Sequence, residues 1–215
     1  VAVNKEKEFH CLDKHLLEDE KPSVYLRDIG RSRWFMESYP FTLLGDLKRV
    51  EQSPVHHPEG SVWKHTLLVA DLAAEGRHLS ENPRVFMWAA LLHDLGKAHT
   101  TRIRRGKITA YDHDKHGAVL AAAFLQEFTD DHEFIRQVSR LVRWHMQILF
   151  VVKKLPFAEL DKLVQEVSPG EIALLSMCDR LGRGDMTEEM RQTELENMKY
   201  FIGECRQHQT NMLYL

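Results

Sequence analysis

The chain has 215 residues, 43% of them hydrophobic and 28% charged, which is ordinary globular composition with enough apolar mass for one sizeable core. A formal net charge of −3 excludes the overall basic field that bulk nucleic-acid binding needs, so no DNA partner is expected, although local basic clusters can still exist. Apolar runs such as residues 118–125 fall far short of the roughly 20 residues that span a bilayer, so a soluble chain with no membrane partner is expected.

The chain opens on Val1 without Met, as a processed product or a piece of something longer would. Residues 1–40 are mixed in character, punctuated by Pro22 and Pro40 and a charged cluster at 18–21, and read as short helices or a partly mobile lead-in. Leu43, Leu44, Leu47 and Val50 recur at helical spacing, and Pro54 closes that short amphipathic helix. A loop at 56–60 leads to Ser61, which can cap a helix over 62–79 with His65 on its first turn.

Asn82-Pro83, a capping residue followed by proline at the first helical position, opens a helix that is apolar on every side through Leu92 and is expected to end at Gly96. Residues 100–111 alternate around Arg105-Gly106 as a small hairpin or ordered loop, with Ile103 and Ile108 on one side and Arg102, Arg104, Arg105 and Lys107 along it. An alanine-rich helix follows from His113, and Asp130 or Asp131 can cap the next, over 132–148. After a proline-marked segment at 152–157 and another helical stretch, Ser168-Pro169-Gly170-Glu171 reads as a capping box for a helix over 169–181. The last helix, over 187–207, is long and mostly polar. With no internal repeat and one strand pair, the fold class is all-α with a small hairpin. Cys11, Cys178 and Cys205 are odd in number, without metal-type spacing or a secretory leader, so free thiols in the cytoplasm are expected and no disulfide.

Chemistry gathers in the middle of the chain, where ten of the thirteen histidines lie between His56 and His145. His93-Asp94 stands at the end of the apolar helix, where an unpaired carboxylate costs several kcal/mol and a divalent cation would compensate it directly. His145 continues the stripe Phe134, Val138, Leu141; Asp179 continues Ile172, Leu175; His113 shares a face with Gly117, Leu120 and Phe124; His65 aligns with Leu68, Val69 and Leu72. Any one of these histidines alone reads as a hydrogen-bonded core residue, and Arg180 or Arg183 would also serve as partner to Asp179. Four histidines and two aspartates on five core helices point jointly to a first-row divalent metal.

The order His65, His93-Asp94, His113, His145, Asp179 resembles the HD-domain metal-dependent phosphohydrolase superfamily. Over about residues 41–183 it is most similar to the HD domain of bacterial CCA-adding tRNA nucleotidyltransferases. Three motifs carry the likeness: His57-Pro58-Glu59-Gly60-Ser61-Val62-Trp63-Lys64-His65, then His93-Asp94-Leu95-Gly96-Lys97, then Cys178-Asp179-Arg180-Leu181-Gly182-Arg183. The resemblance implies an HD helical bundle over 56–185, preceded by a helical lead-in at 1–55 and followed by a C-terminal helix at 186–215 packed on it. It implies one divalent ion (Fe, Mn, Mg, Ni, Co or Zn) on His65, His93, Asp94 and Asp179, with His113 and His145 added for a second; His116 is the second choice for His113. Nothing in residues 1–60 resembles a nucleotidyltransferase head, so nucleotide addition is not expected.

The activity implied is hydrolysis of phosphoester bonds in a phosphorylated small molecule, a nucleotide or an RNA 3′ end. Asp94 would hold metal, Lys97 would touch phosphate or the leaving group, and Arg102, Arg104, Arg105 and Arg143 would bind substrate. A di-iron oxygenase and a non-catalytic, metal-stabilised RNA-binding or regulatory module are the alternatives, and Lys97 with the basic hairpin favours phosphate over oxygen chemistry.

Overall fold

The computed structural model describes residues 3–184 and 186–212, with the side chains of 211 and 212 excepted. In chain order the helices are α1 (Lys5–Glu18), α2 (Pro22–Arg31), α3 (Arg33–Glu37), α4 (Thr42–Asp46), α5 (Val62–Gly76), α6 (Pro83–Leu92) and α7 (Lys97–Thr100). The hairpin β1 (Thr101–Arg104) and β2 (Lys107–Ala110) comes next. Then follow α8 (His113–Gln126), α9 (His132–Trp144), α10 (Gln147–Val152), α11 (Leu160–Glu166), α12 (Pro169–Leu181) and α13 (Glu188–Met212). The architecture is all-α with a small hairpin, as the sequence predicts. Val1, Ala2, Asp185 and residues 213–215, where the expected segment boundaries partly fall, lie outside the described residues. Among the described residues no helix is long and apolar enough to cross a membrane, and the three cysteines are free.

The apolar helix α6 is the axis of the molecule. Asn82 caps it by accepting from the Val85 amide, Pro83 occupies its first turn, and every residue from Val85 to Leu92 is buried. Helices α5, α9 and α12 pack around it and α1 covers its outer side. Phe9 of α1 stacks on Trp88 at 4.8 Å and on Phe128 at 4.5 Å, and Asp13 accepts from Trp88 Nε1 while pairing with Arg84. The N-terminal helices are therefore joined to the same core as α6.

Helices α6 and α9 stop short of their expected ends, and α12, whose bounds are as expected, is capped differently. Helix α6 stops at Leu92 rather than Gly96, and a turn through residues 93–96 carries the chain across the start of α8. The helix expected over 132–148 divides after Trp144, and the carbonyl of His145 at the break accepts a hydrogen bond from Ser176 Oγ of α12. The capping box at α12 does not form: Ser168 Oγ donates to Glu81, and Glu171 accepts from Ser80 Oγ and the Glu81 amide. Those long-range partners outcompete the local cap.

The hairpin follows its expected register, with Ile103 opposite Ile108 across a two-residue turn. Arg105 and Gly106 hold φ of 50° and 73°, the left-handed pair that lets such a turn match the twist of its strands.

The 93–96 turn and α8 meet at backbone distance. A Cβ placed on Gly96 would lie 2.0 Å from the His113 carbonyl oxygen and 2.7 Å from the Gly117 nitrogen, and a Cβ on Gly117 would lie 3.3 Å from the Gly96 nitrogen. Because the obstacles are backbone, no side chain can swing aside. Gly96→Ala is expected to destabilise the protein by about 2–4 kcal/mol in urea unfolding. A change within about 0.5 kcal/mol would show that the two segments separate freely.

Candidate metal centre

Five elements deliver six ligand-type side chains to one buried place. His65 stands in the first turns of α5, which Ser61 caps as expected; His93 and Asp94 follow the end of α6; His113 opens α8; His145 follows α9; Asp179 lies in the last turns of α12. All six are buried, Asp94 to 1% exposure. His116 is exposed on the outer side of α8, which leaves His113 as the inward histidine of that turn.

The ligand atoms fall into two groups that Asp94 spans. His65, His93 and Asp179 form one and Asp94, His113 and His145 the other, and within each the ligand atoms lie within 4.8 Å of one another. Asp94 Oδ2 is 3.3 Å from His93 Nε2 and 4.0 Å from His65 Nε2, while Oδ1 is 3.5 Å from His113 Nε2. His145 Nε2 is 3.3 Å from His113 Nε2, and His65 Nε2 is 2.9 Å from Asp179 Oδ1. His93 Nε2 is buried without any hydrogen-bond partner.

The opposite ring nitrogens explain why every Nε2 faces inward. His93 Nδ1 lies 2.8 Å from the Ala90 carbonyl, His113 Nδ1 2.7 Å from Ala110, and His145 Nδ1 2.6 Å from Val142. Each is the carbonyl three residues earlier; those of Ala90 and Val142 are in last helical turns, where carbonyls lack partners in the helix. With the Nδ1–H donated there, the Nε2 lone pair is free, which is the arrangement of a metal-binding imidazole. Three imidazoles so prepared, together with His65 and two carboxylates, fit a divalent cation in chemistry and in direction.

Electrostatics divide the two groups. Burial lowers the His113 pKa, and it lowers that of His145 to about 3 with help from the neighbouring rings, so both are neutral at pH 7. Burial acts the same way on His65, but the carboxylates of Asp179 and Glu59 overcome it and raise the ring to about 9. Asp94 and Asp179 are pulled well below the usual carboxylate range despite burial, the first chiefly by Lys97 and His93, the second by His65 and Arg183.

Lys97 turns into the site rather than to solvent: Nζ lies 2.8 Å from Asp94 Oδ2 and donates to Gln52 Oε1 at 2.8 Å. Arg102, Arg104 and Arg105 lie exposed on the hairpin, and among the described residues none of them is in an ion pair. The hairpin joins the centre through Ala110, which receives His113 Nδ1. Arg143 stands apart from the ligand cluster, with Nη1 on Asp114, Nη2 on Glu159, both at 2.7 Å, and its guanidinium over the Trp144 ring. Asp179 uses neither Arg180 nor Arg183 as an ion-pair partner; Arg180 lies 3.8 Å from Glu194.

Two residues at the centre escaped the sequence reading. Glu59, in the loop before α5, accepts from His57 Nδ1 at 2.8 Å and lies 2.9 Å from His65 Nδ1. Burial works to raise its carboxyl, yet these two rings bring it down to about 2. Gln52 holds Lys97. Neither sits on a periodic stripe, and the only available signal was an acidic residue inside a Pro-Gly loop directly before a ligand-bearing helix.

Comparison with known proteins agrees with the geometry. A family model described as HD domain matches residues 62–182. The chain is 38% identical over 86 residues to the Multifunctional CCA protein of Actinobacillus pleuropneumoniae serotype 5b (strain L20), covering 39% of this chain and 20% of the relative. It is 34% identical over 115 residues to the protein of the same name from Pseudomonas fluorescens (strain SBW25), covering 52% of this chain and 26% of the relative. The likeness to that of Alkalilimnicola ehrlichii is 32% over 149 residues, 68% of this chain and 33% of the relative. The chain thus spans from a fifth to a third of the length of the curated relatives it matches. With the family model covering more than half of its residues and the His-Asp doublet at the centre of the ligand cluster, this chain belongs to the HD domain family.

Proposed function

We propose that this chain is a metal-dependent phosphohydrolase, working in the cytoplasm, that cleaves phosphoester bonds in a nucleotide or an RNA 3′ end. The observation that carries the reading is the buried Asp94 carboxylate, with one oxygen toward His93 and His65, the other toward His113, and an ammonium 2.8 Å away. His65, His93, Asp94 and Asp179 would hold one ion, and Asp94, His113 and His145 a second. A nitrogen and oxygen set of this kind suits Fe, Mn, Co, Ni or Zn, and Mg more weakly. Bound there, a divalent ion lowers the pKa of water from about 15.7 towards about 7 and supplies the nucleophile at neutral pH.

The remaining work falls to the protein. Lys97 is placed to offer its ammonium to a phosphate oxygen beside Asp94, and Gln52 keeps it directed there. Arg102, Arg104 and Arg105, free of carboxylate partners among the described residues, would hold the rest of a phosphate-bearing substrate at the edge of the centre. Arg143, with both terminal nitrogens paired, is proposed to brace α8 against α9 and the segment before α11. The relatives' name, Multifunctional CCA protein, supports a nucleotide or RNA substrate over a smaller phosphate ester.

Asp94→Ala is expected to lose divalent metal on dialysis and to lower hydrolysis of a generic phosphodiester on the order of 10³-fold. Stoichiometric metal by elemental analysis together with unchanged turnover would contradict the assignment. Lys97→Ala should keep its metal and lose on the order of 10–10³-fold in turnover. Oxygen consumption without phosphoester cleavage under any metal supplied would instead support the di-iron oxygenase.

Proton linkage gives a separate check. In the metal-free protein His65 is raised to about 9, so at pH 7 its ring is charged and metal must displace one proton. Metal affinity at that group should therefore rise about tenfold per pH unit between pH 7 and about 9, then level off. The His113 and His145 rings, already neutral, add no such dependence. Affinity that is flat across this window by calorimetry would contradict a charged His65 that gives up its proton to the metal.

A further inference from the structure

Three of the four inward histidines are oriented by their own chain, through the carbonyl three residues earlier, and the fourth is not. His65 lies inside α5, and its corresponding carbonyl, that of Val62, already accepts from Thr66 Oγ1 at 2.9 Å. The Nδ1 of His65 is directed outward, to Glu59 Oε1 at 2.9 Å and the Gly182 carbonyl at 3.2 Å. Glu59 is itself fixed. Its side chain is only 5% exposed, His57 Nδ1 donates to the same oxygen at 2.8 Å, and the His57 ring stands edge-on to His65 with centroids 5.0 Å apart. The second oxygen, Oε2, is buried with no hydrogen-bond partner, a cost that packing alone gives no reason to keep. The loop runs beside the segment after α12, where a Cβ added to Gly184 would lie 3.8 Å from the Pro58 side chain and 3.9 Å from that of Glu59.

We propose that Glu59 is a positioning residue for the metal centre: it accepts the Nδ1–H of His65, fixes the tautomer that leaves Nε2 unprotonated, and makes that imidazole a stronger donor than the other three. The proposal rests on the metal-binding reading above. The chemistry is general: an ionised carboxylate accepts a stronger hydrogen bond than a carbonyl and pushes more electron density into the ring. His57 holds the carboxylate in line and never touches the ion. The loop at 56–60 thereby becomes part of the centre, and the group formed by His65, His93 and Asp179 depends on it, while the group formed by His113 and His145 does not.

The test uses the full chain loaded with Zn²⁺. Glu59→Gln, which keeps shape and can still accept a hydrogen bond, is expected to weaken the tighter-bound or weaker-bound ion, whichever His65→Ala also removes, by about 10–100-fold in chelator competition. In nitrogen-15 histidine spectra the Nδ1–H proton of His65 should move upfield, and those of His93, His113 and His145 should stay. Affinity within twofold of wild type overturns the proposal, and so does weaker binding with an unmoved His65 proton, which marks a packing role only. Should Glu59→Gln fail to fold, Glu59→Asp, which withdraws the charge by one methylene, is expected to give the same pair of changes, and their absence overturns the proposal equally. Wild-type protein that binds no Zn²⁺, Mn²⁺ or Fe²⁺ at all would defeat the metal-binding reading first, a failure distinct from a silent Glu59 variant.

Discussion

A carboxylate removed from water at the end of a helix with no exposed face is the constraint on which this molecule depends. Asp94 is 1% exposed, and a charge so placed is tolerated only with close compensation. The compensation comes from the Lys97 ammonium three residues on and from the charged His65 of a distant helix, with His93 beside the same oxygen and His113 brought to the other by the backbone crossing at Gly96. The packing serves that arrangement. Helix α6 is apolar throughout because it is buried throughout, and the glycines at 96 and 117 let α8 approach until His113 reaches the same carboxylate.

The two halves of the centre are held differently. His113 and His145 are neutral, locally anchored rings, one at a helix start and the other just past a helix end, so their orientation is a property of the nearby backbone. His65 is held by carboxylates on both ring nitrogens, one from α12 and one from the loop before α5. That half gathers elements separated by more than a hundred residues, and its geometry is a consequence of the whole fold rather than of one helix end.

Much of this was legible in the sequence because it rests on local rules. Asn82-Pro83 announced α6, Arg105-Gly106 announced the hairpin turn, and the stripes ending at His145 and Asp179 turned both residues inward because a period of 3.6 leaves them nowhere else to face. What was not legible depended on partners far along the chain. Ser168 and Glu171 have the residue pattern of a capping box, yet Glu81 takes the Ser168 hydroxyl while Ser80 and the Glu81 amide take the Glu171 carboxylate; Arg143 carries no sequence signal of its partners, yet Asp114 and Glu159 take both its terminal nitrogens. The break after Trp144 needed Ser176, and Glu59 needed the folded position of His65. None of these pairings leaves a periodic trace.

Asp94 stands between two groups of candidate ligands, and anomalous diffraction reads whether divalent ions occupy both. Crystals soaked in Mn²⁺ and measured for anomalous scattering should show density between Asp94, His65, His93 and Asp179, and at sufficient Mn²⁺ a second maximum between Asp94, His113 and His145. Anomalous density confined to other places on the protein, with the six side chains unmoved and no ion among them, would contradict the account.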